Sequence, residues 1–132
     1  MATVTSKLTL TSADLLSQNL NISVSKSISI QNTTGLARKT ITSTAKGTAS
    51  GQVTLHTAAD FAAPAYLYVK NMDTTASDHV IVYDATTSGN PIILLLKGGE
   101  FAFMPVNNSI DLKAYAVTTN TPVEFVVFGT EA

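Results

Sequence analysis

The chain has 132 residues, no cysteine and a formal net charge of −1. A disulfide scaffold and thiolate chemistry are therefore excluded, and the neutral balance argues against an electrostatic grip on nucleic acid or an anionic membrane. Only 13% of residues are charged, where soluble domains average about 25%, so a Thr-, Ser- and Asn-rich surface of this kind suits a subunit whose faces neighbours cover.

The length fits one domain with a real core. Met1 to Thr5 shows no basic region followed by an apolar stretch, so the expectation is neither a signal peptide nor a membrane span. The first strand is expected around Val4, Leu8 and Leu10, with Thr3, Thr5, Lys7 and Thr9 on the wet face. Ser12 to Leu16 can form one helical turn capped by Ser12. A second strand follows, with Leu20, Ile22, Val24, Ile28 and Ile30 alternating against polar residues. Lys26 falls in its apolar row, which marks either an inward charge guarding an edge strand or a break between two shorter strands.

From Asn32 to Gln52 the apolar period fades, leaving Ile41 as the lone strand centre and Arg38, Lys39 and Lys46 as the charges. A long exposed loop or hairpin is expected there, used for contact. A strand returns at Val53 to His56, and Ala58 to Ala63 reads as a helical turn that Pro64 closes.

The second half is a run of short strands punctuated by turns: Tyr66–Val69, His79–Tyr83, Ile92–Leu96, Phe101–Met104, Ile110–Tyr115 and Val123–Phe128. Ile92 to Leu96 is apolar on both faces, so it is either central and doubly covered or turned toward another subunit. Together these segments predict an all-β fold: an antiparallel, jelly-roll-like β-sandwich of about eight or nine strands, with residues 1–12 as a candidate N-terminal arm.

No residue pattern carries a reaction. His56 and His79 fall short of the three or four ligands of a zinc site. Asp73, Asp78 and Asp84 flank one strand but match no calcium loop, and loop carboxylates commonly bond local amides. Lys97-Gly98-Gly99-Glu100 lacks the rest of a phosphate loop and reads as a hairpin turn. No serine sits in a nucleophile elbow. Tyr66 and Tyr68 share a strand face, with Tyr83 and Tyr115 as further rings, so carbohydrate stacking stands beside core or interface packing as their role. The expectation is a non-enzyme with no cofactor and no metal.

The segments Tyr66-Leu67-Tyr68-Val69-Lys70-Asn71, Leu96-Lys97-Gly98-Gly99-Glu100-Phe101, Lys113-Ala114-Tyr115-Ala116 and Val123-Glu124-Phe125-Val126-Val127-Phe128 together resemble small virion structural proteins of tailed bacteriophages. The resemblance covers about half the chain. It implies a sandwich that decorates or cements the capsid, or sits at the neck or tail, made in the host cytoplasm and resident in the virion. The implied partners are further copies of the chain, a trimer being one option, and the major capsid protein or other virion subunits, with neither nucleic acid nor membrane among them. The expected contact residues are Leu8, Leu10, Arg38, Lys39, Ile41, Lys46, Tyr66 and Tyr68. The alternatives are a receptor- or sugar-binding tail or fibre module and a degenerate cupin-like enzyme.

Overall fold

The computed structural model describes residues 1–14, 19–43 and 52–131, apart from the side chains of Ala63 and Glu131. Among these residues the protein is all β, with eleven strands and no helix. In chain order they are β1 (Ala2–Ser12), β2 (Leu20–Ile30), β3 (Asn32–Thr33), β4 (Ala37–Ile41), β5 (Val53–His56), β6 (Phe61–Asn71), β7 (Val80–Asp84), β8 (Ile92–Leu96), β9 (Phe101–Val106), β10 (Leu112–Ala116) and β11 (Thr121–Glu131). All strand pairs are antiparallel.

Two sheets face each other. One runs β5-β10-β7-β8, and the other runs β11-β6-β9 with β3 and β4 sharing the far side of β11. From β4 onward the chain crosses from one sheet to the other at every connection except β7 to β8. The crossing pattern means that each sheet is assembled from strands far apart in sequence, and the core between them draws on side chains from Ala37 to Val127.

The period-2 alternation read from the sequence decides which side chains enter that core. Ala65, Leu67 and Val69 of β6, Val123, Phe125 and Val127 of β11, Val80 and Val82 of β7, and Leu112, Ala114 and Ala116 of β10 make one buried cluster between the sheets. Tyr83, Ile81 and Tyr115 form a separate cluster on the outer face of the β5-β10-β7-β8 sheet, where the two tyrosine rings meet edge to face at 5.8 Å.

Residues 32–41 depart from the expected loop. Here β3 pairs with Phe128 and Gly129, and β4 pairs with Thr121 to Phe125, so the two short strands form one interrupted edge along β11. Ile41, expected as a contact residue, is completely buried in the core. The pattern was masked because Lys39 lies on the same inward row as Ala37 and Ile41, opposite Val123, yet stays exposed at the rim. A charge placed this way is a common guard against edge-to-edge pairing. Lys46 lies outside the described residues.

The helical turn expected over Ala58 to Ala63 is absent. A tight turn at Ala58 to Asp60, with Ala59 at a φ of 67°, leads directly into β6. Pro64 does not end a helix but sits in a strand, because the pairing jumps from Gly129↔Ala65 to Thr130↔Ala62 and leaves residues 63 and 64 in a bulge. A bulge asks no ladder hydrogen bond of the proline nitrogen. Gly129 answers it from the other strand, since a Cβ there would stand 2.8 Å from the Pro64 carbonyl oxygen.

At the N-terminus, Ser12 is the last residue of β1; its Oγ donates to Asp14 Oδ1 at 3.0 Å and accepts from the Asp14 N–H at 3.3 Å. Leu15 and Leu16 lie outside the described residues. Strand β1 pairs with β2 along its whole length, from Ala2↔Ile30 to Ser12↔Leu20, as a separate two-stranded sheet. Lys26 therefore does not break the second strand.

Candidate functional site

The outer face of the β11-β6-β9 sheet is aromatic. Residues facing away from the core on these strands include Tyr66 and Tyr68 of β6, Phe101 and Phe103 of β9, and Val126 and Phe128 of β11. The rings of Tyr66, Phe103 and Phe128 stack pairwise with centroids 5.9 to 6.1 Å apart. Such offset pairs add modestly to the burial of their area.

The two-stranded sheet β1–β2 lies over this face as an arm. At its base Ile28, with Val4 and Ile30 beside it, packs on Tyr66, Phe128 and Val126. Lys26 follows on the same side, its ammonium 5.8 Å from the centre of the Tyr66 ring and 3.4 Å from the Tyr66 hydroxyl. Beyond that point the arm lifts away and leaves a cleft of about 790 Å³, walled by Leu8 and Val24 and floored by Tyr68, Phe101, Phe103 and Phe128.

Beside the cleft, Tyr68 donates its hydroxyl to Glu124 Oε1 at 3.1 Å and Arg38 donates Nε to Glu124 Oε2 at 2.6 Å. The Arg38 hydrogen bond holds the Glu124 carboxyl below its ordinary range, helped by the Tyr68 hydroxyl. Burial, followed by the hydrogen bond to Glu124, pushes the Tyr68 phenol up. Arg38 itself is well exposed, so the pair adds little to stability and chiefly orients the tyrosine.

A second apolar surface lies along one side of the sandwich. Strands β8 and β9 are the unpaired edges of the two sheets, and the turn at residues 97–100 joins them. Ile92 is 53% exposed, Leu95 48% and Phe101 63%, with Ile93 and Phe103 also open. The apolar strand Ile92 to Leu96 is thus neither central nor doubly covered; a bulge at Ile93 shifts its register with β7. The Lys97–Glu100 turn is not a hairpin, since the strands it joins belong to different sheets. Gly99 has a φ of 82°, and the backbone of Gly98 packs against the Thr75 carbonyl with no room for a Cβ.

Asn71 locks this corner. Its fully buried side chain donates from Nδ2 to the Asp78 carbonyl at 2.7 Å and to the Leu96 carbonyl at 3.0 Å, and its Oδ1 accepts from the Asp73 N–H at 3.0 Å. Its backbone N–H and C=O reach Glu100 and Gly99 across the turn.

The chemical candidates do not converge. His56 is buried against Phe61, with Nδ1 at 2.9 Å from the Ile110 carbonyl oxygen. It lies beside Leu112, whereas His79 binds Val117 through its carbonyl, about 17 Å further along β10. Asp73 and Asp84 accept bonds from the backbone of Thr75 and of Thr86 and Thr87 respectively, and Asp84 and Asp78 stand at opposite ends of β7. No group of three or more His, Cys, Asp or Glu among the described residues could hold a metal ion.

Of the expected contact residues, Leu8 and Leu10 are exposed on the arm, Arg38 and Lys39 are exposed on β4, Tyr68 is half-buried, and Tyr66 and Ile41 are buried within the protomer. Sequence reading missed Phe101, Phe103, Ile22 and Val24. Their signal was present as alternation, but which face stays bare depends on what the arm covers. No protein family matches the chain, and no curated protein or solved structure is detectably similar to it.

Proposed function

We propose that the chain is a non-enzymatic structural subunit of a tailed-phage particle, folded as a jelly roll and serving as a capsid decoration or cement protein. The observation that carries this reading is the pair of bare apolar edge strands, β8 and β9, on one side of the sandwich. An exposed apolar edge is an aggregation hazard in a free monomer, and a protein that retains one has a partner for it. The low charge of the chain and the segment likeness to virion proteins support the same reading.

The mechanism is physical. Apolar side chains at Ile92, Leu95 and Phe101 leave water against a neighbouring subunit, a further copy or the major capsid protein, and the buried area reinforces the shell. A sugar-binding role loses support from Tyr66 and Tyr83, which are buried. The test is co-sedimentation of purified protein with empty capsid shells, followed by copy counting. Saturable binding at hundreds of copies per shell is expected; no binding to shells refutes the reading.

A further inference from the structure

The arm carries more apolar surface than its own protomer covers. Its apolar row begins with Val4 and Ile28, seated on Tyr66 and Phe128, and continues outward as Leu8 paired with Val24 and Leu10 paired with Ile22. Leu8 and Val24 wall the open cleft, whereas Leu10 and Ile22 line no part of it and remain exposed.

We propose that the tip of the arm docks in the cleft of a second copy, on Phe101 and Phe103, so that copies clasp one another through exchanged arms. Two features select a second copy as the occupant. The base of the same arm face already packs on the aromatic residues next to that floor, so the two surfaces are shown to be compatible. Both halves of the contact, tip and floor, are bare in the same molecule. The overall charge of −1 leaves little repulsion between copies.

This inference deepens the structural-subunit reading and rests on it for self-association, but its test reads arm geometry, whereas shell binding reads the particle role, so either can fail alone. The chain has no cysteine, which permits single-cysteine pairing. Chains carrying Leu10→Cys and chains carrying Phe101→Cys are mixed, oxidised and resolved without reductant. A mixed disulfide dimer at least tenfold above a control mixture of Leu10→Cys with Thr87→Cys is expected. A Leu10→Asp/Ile22→Asp variant should keep the wild-type far-ultraviolet spectrum and melting temperature while its self-association weakens at least tenfold in sedimentation velocity. A wild-type chain that stays monomeric at all concentrations overturns the proposal and assigns the stripe to a different protein. So does a mixed cross-link no greater than the control, or a Leu10→Cys/Phe101→Cys chain that closes within one monomer.

Discussion

Replacing Asn71 by Ala removes three side-chain hydrogen bonds at once, two to the carbonyls of Asp78 and Leu96 and one from the Asp73 N–H. Each such bond is worth roughly 0.5–1.5 kcal/mol net, and groups left buried without a partner cost more, so the loss should be about 3–5 kcal/mol. A domain of this size holds about 5–15 kcal/mol in total, so the variant still folds but its margin shrinks sharply. Urea unfolding followed by far-ultraviolet circular dichroism should show a lower midpoint with an unchanged slope. Asn71→Asp separates lost hydrogen bonds from lost volume. It keeps the shape but turns an oxygen toward the two carbonyls, so its charged form is disfavoured in the folded state and its carboxyl pKa is raised there. Stability of that variant is then retained below the unfolded carboxyl range, about pH 4, and lost as pH rises toward neutrality. Unfolding free energies for both variants within about 0.5 kcal/mol of wild type would refute the idea that this side chain locks the β8–β9 corner.

Leu95→Lys with Phe101→Lys should leave the melting temperature nearly unchanged, because both side chains are largely exposed, yet abolish co-sedimentation with capsid shells; persistent binding would place the interface elsewhere. Ile41→Ala, at a completely buried position, should cost about 2–5 kcal/mol in denaturant unfolding, whereas Lys39→Ala, at an exposed one, should stay within about 0.5 kcal/mol. The Thr87 side-chain hydrogen bond, with backbone bonds from Thr86 and Thr87, lowers the Asp84 pKa from its ordinary 3.8. Its contribution is therefore present above the unfolded value and lost as pH falls through the lower folded one. Thr87→Ala should flatten the acid end of the stability–pH curve, and an unchanged curve would count against this assignment.

Most strands are legible in the chain because a half-buried strand imposes a period of two, and β8 was bounded at Ile92 to Leu96 from composition alone. The strand at residues 37–41 was hidden by one inward-row lysine, and the start of β6 by a proline whose bulge appears only once Gly129 and Thr130 are paired across from it. The candidate surface was half visible. Leu8 and Leu10 were recognised from alternation, but Tyr66 carries the same alternation and is buried, since Ile28 of the arm sits on it.

The sequence by itself determined the all-β class, the rows of side chains that share a face, and the scarcity of charge, because these depend only on local period and composition. Tertiary structure alone decided which strands are edges and which apolar rows stay bare. Edge status is set by hydrogen-bond partners far away in the chain, and β8 reads the same in sequence whether both its faces are covered or one is open. The bare edges of β8 and β9 are products of that long-range pairing.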